Sequence, residues 1–174
     1  MADNLARAEA HADLKLTRLI DAPRALVFKM WTEAEHLAQW FGPRQVTLPF
    51  CNIEPRPGGT LHFCHRLDDG TEVWVKGVYR EVVAPERLVF SLSFVDSDGR
   101  AAAHPMIPDW PLDTVILTTV TFADRHGKTA LDILQQILPP QGTATDAVRR
   151  ERQAARTGWG ETLDRLAEYV GRVA

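Results

Sequence analysis

The segment from about Thr145 to Val170 has the pattern of one long amphipathic helix, and this helix is the strongest constraint on the fold. Thr145 or Thr143 is placed to cap it. A stripe at steps of three and four faces one way: Val148, Arg152, Ala155, Trp159, Thr162, Leu163, Leu166 and Val170. The opposite side is charged and predicts a solvated face: Arg149, Glu151, Arg156, Glu161, Asp164 and Glu168. Such a stripe must be buried against another element.

The element that faces this helix is predicted to be an antiparallel sheet. Residues 14–20, 45–53, 59–67, 72–83, 87–96, 114–123 and 128–138 alternate between apolar and polar side chains, as half-buried strands do. Short links rich in glycine, proline and aspartate separate most of them. Links this short join antiparallel neighbours, because parallel strands need long crossovers.

Two short helices are predicted between the first and second strands. Pro23 suits the first turn of a helix over 24–31. Thr32 and Glu35 have the spacing of a capping box, which predicts a second helix over about 33–39. Gly42 and Pro43 then end this helical region.

One link differs from the others. Residues 97–113 contain three prolines and have neither a strand period nor a helix period. A structureless link of this length is more often functional or mobile than accidental.

The elements together predict a single α+β domain over 1–174, with an N-terminal arm at 1–12. The curved sheet of about seven strands wraps around the long C-terminal helix at 145–170. The first half of that helix carries Ala155, Gly158 and Thr162, whereas the second half carries Leu163, Leu166 and Val170. Small residues leave room, so we expect a solid core at one end and a ligand pocket towards the other.

Composition limits the classes of function. The net charge is −3, so no global field attracts nucleic acid or an anionic membrane. The apolar runs have the length of strands, far short of the ~20 residues of a membrane span. The two cysteines, Cys51 and Cys64, form no CxxC motif, and the N-terminus lacks the apolar stretch of a signal peptide. We therefore expect a reduced, cytoplasmic protein.

Five segments in order resemble a known family: IDAPRALVFKMWTEAEHLAQWFGP, IEPRPGGTLHF, GVYREVVAPERLVF, TVTF and GWGETLDRLAEYV. Over about 14–170 the chain resembles the activator of Hsp90 ATPase homologue 1-like (AHSA1-like) branch of the START/Bet v 1-like (SRPBCC) superfamily. The resemblance implies the helix-grip fold and a cavity for hydrophobic or amphipathic ligands, but no single activity. The eukaryotic Hsp90 activators have an additional N-terminal domain, which this chain does not supply.

Candidate cavity residues follow from strand alternation, the helix stripe and the aromatic residues of the links. His65 is the most interesting polar member, because imidazole can bind a ligand or move a proton near neutral pH. Arg152 lies on the inward stripe and could meet a ligand carboxylate or phosphate, although a solvated basic turn is the plainer interpretation. Trp159 lies in the middle of the stripe and is expected to anchor the core. The candidates are Trp40, Phe41, Leu61, Phe63, His65, Phe90, Met106, Trp110, Thr118, Arg152, Ala155, Trp159 and Thr162; for most of them, plain core packing is the alternative.

The sequence offers little support for catalysis or metal binding. It has no GxSxG motif, no Ser-His-Asp signal and no paired carboxylates near an inward histidine. Cys64 and His65 are adjacent on one strand and face opposite sides, which argues against a zinc site with His62 and Cys51. No cofactor is expected.

Three functions remain open. The first is a non-catalytic protein that binds a small hydrophobic ligand. The second is an enzyme of the cyclase, hydratase or hydrolase type, which would need His65 or another inward polar group near a second acid or base. The third is a module that binds a chaperone of the Hsp90 kind. A homodimer is compatible with all three.

Overall fold

A computed structural model describes residues 13–140 and 145–174. The predicted N-terminal arm and the alternative cap Thr143 lie outside these residues. The elements in chain order are β1 (Leu14–Ile20), α1 (Arg24–Thr32), α2 (Ala34–Trp40), β2 (Val46–Ile53), β3 (Thr60–Leu67), β4 (Glu72–Val83), β5 (Arg87–Val95), β6 (Val115–Arg125), β7 (Lys128–Leu138) and α3 (Asp146–Val173). The α+β prediction is confirmed.

The strands form one antiparallel sheet of seven strands in the order β1-β7-β6-β5-β4-β3-β2. The predicted alternation holds, since Phe63 lies opposite Val75 and Thr118 lies opposite both Phe90 and Gln135. This concave face meets the helices. Gly77 in β4 marks a close approach of two strands, because a Cβ there would lie 1.7 Å from the carbonyl oxygen of Ser91. Only glycine fits at this position.

Strand β2 forms one edge of the sheet. It carries the exposed Pro49, and its pairing with β3 shifts register between Thr47 and Phe50. The outer face beside it carries a group of rings: Phe50, His62 and Trp74 pack with centroids 5.1–5.5 Å apart. Cys64 is completely buried on the same face, as the alternation predicted for His62 and Cys64.

The predicted capping box is wrong. Thr32 is the last residue of α1, and its hydroxyl donates to the Phe28 carbonyl oxygen at 3.0 Å. Glu33 precedes α2 and makes no side-chain cap. The break between α1 and α2 therefore lies at Glu33, whose backbone is extended, and no side-chain cap marks it. The cap of α3 is as expected: the Thr145 hydroxyl accepts from the Val148 amide.

The C-terminal half of α3 is held on both sides. Asp164 pairs with Arg18 of β1, and Glu168 accepts both terminal guanidinium nitrogens of Arg44. The Arg165 guanidinium donates to the carbonyl oxygens of Gln39, Gly42, Pro43 and Val46. One side chain thereby ties the helix to the α2–β2 link.

The 97–113 link folds back over the end of the sheet. Trp110 and His104 are buried, and their rings pack against Phe94 of β5 with centroids 5.2 Å and 4.5 Å away. Asp109 accepts two hydrogen bonds from Arg150 of α3, at 2.8 Å and 3.0 Å. The link therefore bridges the open end of the sheet to the N-terminal half of the long helix.

Candidate ligand-binding interior

The interior between the sheet and α3 is bounded at one end by a tight aromatic cluster. Trp31 of α1 stacks on Trp159 of α3 with ring centroids 6.1 Å apart and an angle of 18°. Phe41 packs edge-on against both Phe63 and Trp159. Below this cluster, Leu163, Leu166 and Val170 are buried and close the C-terminal end. This is the solid half that the sequence predicted.

Two buried polar atoms of the interior lack a hydrogen-bond partner among the described residues. Thr118, in the middle of β6, is completely buried, and its hydroxyl has no hydrogen-bond partner among the described residues. The indole nitrogen of Trp31 is also buried and, in the described part of the chain, unpartnered. A buried polar group without a partner costs about 1–3 kcal/mol, so each of these atoms needs a reason.

Glu151 adds a carboxyl group to the same helix stripe. It lies one turn after the fully buried Ala147 and one turn before Ala155, and it is half-buried rather than solvated. The predicted solvated face is wrong at this position. Burial raises the pKa of the Glu151 carboxyl to about 7. Its uncharged form is therefore well populated near neutrality.

His65 is hydrogen-bonded to the backbone. It is half-buried, and its Nε2 lies 3.2 Å from the Phe41 carbonyl oxygen, which can only accept, so Nε2 carries the proton. Burial lowers the pKa of His65 to about 4, so the ring is neutral near pH 7. No described acid or base hydrogen-bonds it. The second acid or base that the enzyme hypothesis requires is not among its described hydrogen-bond partners.

The remaining candidates fall into three groups. Leu61, Phe63, Phe90, Thr118, Trp159 and Thr162 are buried on the concave face or on the stripe of α3, and Ala155 is partly buried beside them. Trp40 and Phe41 belong to the core; the Trp40 indole donates to the Met30 carbonyl oxygen. Of the link residues, Trp110 is buried, whereas Met106 is 55% exposed and faces solvent.

Arg152 is half-buried at the start of α3. Burial lowers the pKa of its guanidinium, and the charge of Asp13, just before β1, opposes that effect. Arg152 lies two turns before Trp159 on the same face of α3, and its Nε is buried.

Two concavities of the described surface lie outside the seam between the sheet and α3. One, of about 200 Å³, is lined by Gln39, Arg44, Arg165, Glu168 and Arg172. The other, of about 90 Å³, lies between the end of β5 and the 97–113 link, with Phe94, Trp110, Leu112 and Thr114 among its walls.

Residues 13–140 and 145–174 contain neither a candidate metal cluster nor a membrane-spanning helix. No group of three or more histidine, cysteine, aspartate or glutamate side chains there could hold a metal ion. Within the same ranges, no helix is long and apolar enough to cross a bilayer.

A curled antiparallel sheet that grips one long C-terminal helix defines a helix-grip protein. The model of one family, described as activator of Hsp90 ATPase homolog 1-like protein, matches residues 21–171. The chain belongs to this family, which is part of the SRPBCC superfamily. The fold is compatible with ligand binding in a cavity.

Solved structures agree with the fold. A protein from Nitrosomonas europaea has a TM-score of 0.72 and 23% identity, with 92% of this chain and 94% of that one covered. A protein from Arthrobacter aurescens reaches a TM-score of 0.77 at 18% identity, covering 94% and 88%. The AHSA1 protein from Silicibacter pomeroyi has a TM-score of 0.72 at 19% identity, covering 94% and 100%. No curated protein matches the chain.

Sequence reasoning missed three residues of this region. Glu151 follows Ala147 and precedes Ala155 by four, so a stripe drawn through these two alanines would have included it. Trp31 was placed on a helix, but nothing in the sequence indicates that its indole nitrogen lacks a partner. Arg165 contacts carbonyl groups more than a hundred positions earlier in the chain, a relation that no local pattern carries.

Proposed function

We propose that this protein binds a small hydrophobic or amphipathic ligand between the concave face of the sheet and the N-terminal half of α3, without catalysing a reaction. The observation that carries the proposal is the Thr118 hydroxyl, which is completely buried and unpartnered in the described chain. A ligand with one polar group would satisfy it. The Trp31 indole nitrogen supplies a second, donor-only contact.

The side chains of α3 also support ligand binding in this region. Ala155 and Thr162 place small side chains on the stripe of α3, with Gly158 between them. The Thr162 hydroxyl already donates to the Gly158 carbonyl oxygen at 2.7 Å. Apolar walls such as Phe90 and Ile116 supply the burial that drives binding, at about 25 cal/mol per Å² of apolar surface.

The ends of the interior differ in how firmly they are held, which gives a route of entry. The N-terminal half of α3 is joined to the 97–113 link through the exposed Arg150–Asp109 pair. Exposed pairs of this kind contribute about 0–1 kcal/mol, so opening at this end is opposed mainly by the burial of Trp110 and His104 in the link.

The experiment measures binding of phenylnaphthylamine, a neutral dye whose fluorescence rises in apolar surroundings. Ala155→Trp fills the interior and should lower dye affinity at least tenfold. Ala154→Trp places the same ring one residue away, on an exposed position, and should leave affinity unchanged. Thermal unfolding of both variants reports whether they fold.

Two results would contradict the proposal. One is the absence of dye binding by the unmodified protein. The other is an equal response of the two tryptophan variants, which would place the dye outside the seam. If Ala155→Trp does not fold, Ala155→Leu is the milder filling variant, and a loss of binding is again expected.

A further inference from the structure

A polar concavity of about 200 Å³ lies where the α2–β2 link meets the last turns of α3. It is outside the seam in which we propose that a hydrophobic ligand binds. Its lining contains three guanidinium groups and one carboxylate, since it consists of Gln39, Arg44, Arg165, Glu168 and Arg172. The concavity is therefore locally positive in a protein whose net charge is −3. A local excess of positive charge attracts anions.

Arg165 gives the concavity a fixed positive charge. Its guanidinium donates to four backbone carbonyl oxygens of α2 and the link that follows, at 2.9–3.2 Å. These hydrogen bonds fix its orientation but leave its charge, because a carbonyl group carries no net charge. Within residues 13–140 and 145–174, Arg165 forms no ion pair. Burial and, to a smaller extent, the positive charge of Arg44 lower the pKa of Arg165, but a guanidinium stays protonated at ordinary pH.

The carboxylate of Glu168 marks where an anion is held. Arg44 donates to both of its oxygens, at 3.3 Å and 2.6 Å. Arg165 and Arg172 lie three residues before and four residues after Glu168, so the three side chains project from one face of α3. The hydrogen bond from Arg44 and, to a smaller extent, the charges of Arg44 and Arg172 lower the pKa of Glu168. These arginines therefore already bind an oxyanion that belongs to the chain itself.

The Arg44–Glu168 pair can be exchanged for another anion. The two side chains are 53% and 52% exposed. An exposed ion pair is weak, because water solvates both partners when they separate. A phosphate group presents the same pair of oxygen atoms to the guanidinium and carries more negative charge than a carboxylate. It can therefore replace Glu168 on Arg44 while the carboxylate turns to solvent.

Arg172 supplies another cation at the rim of the concavity. It lies in the last turn of α3, with its guanidinium carbon 5.8 Å from the centre of the Tyr169 ring. The Tyr169 hydroxyl is hydrogen-bonded to Nδ1 of His36 at 2.8 Å, which holds the ring in place. In the described part of the chain, Arg172 forms no ion pair. Its charge is therefore available to a ligand in the concavity.

Two further acids of α3 lie near Arg44, and they do not cancel the positive charge. Asp164 pairs with Arg18 of β1. Glu161 accepts a hydrogen bond from the Arg44 backbone amide at 3.2 Å and offsets one of the two unbalanced charges of the lining. A net positive charge remains.

We propose that this concavity binds the phosphate group of a small soluble metabolite. The phosphate oxygens take the place of the Glu168 carboxylate on Arg44 and also bind Arg172, with Arg165 as a fixed positive charge beside them. The volume of about 200 Å³ is below the roughly 300–1,000 Å³ of pockets for drug-sized ligands, so it suits a small anion. This inference goes beyond the binding of a hydrophobic ligand and does not depend on it.

The test is isothermal titration calorimetry with inorganic phosphate and with phenyl phosphate at about pH 8. Arg44→Gln and Arg172→Gln should each lower the affinity for both compounds at least about tenfold, because each removes a hydrogen bond between charged groups. Glu168→Gln should raise the affinity at least about threefold, because it removes the competing carboxylate. Arg56→Gln is the matched control. It removes an exposed arginine that pairs with Glu54 beyond the far end of β2, and it should change the affinity less than about twofold.

The two compounds distinguish two sources of the same chemistry. Equal affinities indicate that the phosphate group alone is bound, whereas tighter binding of phenyl phosphate indicates an organic ester; both support the site. The inference is overturned if neither compound binds. It is also overturned if Arg44→Gln and Arg172→Gln bind phosphate as tightly as Arg56→Gln does. Thermal unfolding checks that each variant folds, and binding of phenylnaphthylamine, which should be unchanged in all of them, tests the proposed function separately.

Discussion

The two halves of α3 are built differently, although they belong to one continuous helix. In the C-terminal half, Leu163, Leu166 and Val170 are at most 2% exposed, and Arg165 is bound to four backbone carbonyl groups. In the N-terminal half, the stripe contains Glu151, Arg152 and Ala155, and one exposed ion pair links the helix to the loop. The C-terminal half is therefore anchored to the sheet and to the α2–β2 link, and the N-terminal half is the part of α3 at which we propose that a ligand binds.

The largest expected effect concerns the C-terminal half of α3. Leu166→Ala should lower the free energy of unfolding by about 3 kcal/mol, because Leu166 is completely buried and its removal leaves a cavity. Leu138→Ala, at a leucine that is 47% exposed, is the matched control and should cost about 1 kcal/mol or less. Urea denaturation measures both. Equal losses would contradict the burial of Leu166 in the C-terminal half of α3.

The second prediction concerns the N-terminal half of α3 and depends on pH. Folding raises the pKa of Glu151 from the ordinary 4.5 to about 7, so the folded state binds the proton more tightly than the unfolded state. The unmodified protein should therefore lose stability relative to Glu151→Gln as the pH rises from about 4.5 to 7. Because the Glu151 side chain is only half-buried, we expect a moderate effect. At pH 8 the free energy of unfolding of Glu151→Gln should exceed that of the unmodified protein by about 1–2 kcal/mol.

Urea denaturation of both proteins across this pH range measures the difference. His65 and His104 titrate in the opposite direction, since burial lowers both pKa values to about 4. Their contribution is common to the two proteins and cancels in the comparison. A difference that does not change with pH would show that Glu151 is solvated after all.

The smallest expected effect concerns the sheet side of the interior. Thr118→Val replaces the unpartnered hydroxyl with a methyl group and should stabilise the ligand-free protein by about 1 kcal/mol. Thr119→Val, on the other face of the same strand, should change stability by less than about 0.5 kcal/mol. Thermal unfolding measures the stability of both variants. A loss of stability on Thr118→Val would indicate that the hydroxyl has a partner.

Much of the fold follows from local patterns. Strand alternation places Phe63, Phe90 and Thr118 on the concave face, and the helix stripe identifies Trp159 and Leu166 as buried. Both predictions depend only on the period of side chains along an element. The capping box failed because Thr32 bonds back to Phe28 within its own helix, an alternative that the same spacing allows.

The site was less accessible to sequence reasoning. Whether Glu151 is solvated depends on the rotation of α3 about its own axis relative to the sheet. Because Glu151 lies at the border of the stripe, a small rotation is enough to bury or expose its side chain. The significance of His65 depends on a backbone carbonyl group 24 positions earlier. A histidine on an inward strand position looks the same in sequence whether it meets a ligand or a turn. Such contacts are set by tertiary geometry.

Strand β2 ends the sheet with a proline that cannot donate a hydrogen bond and a register shift that interrupts the even spacing of its neighbours. Two copies of this chain therefore cannot join their sheets in a continuous ladder along this edge. A symmetric dimer, if one forms, must use another surface, and growth of open-ended fibres by addition of strands at β2 is disfavoured.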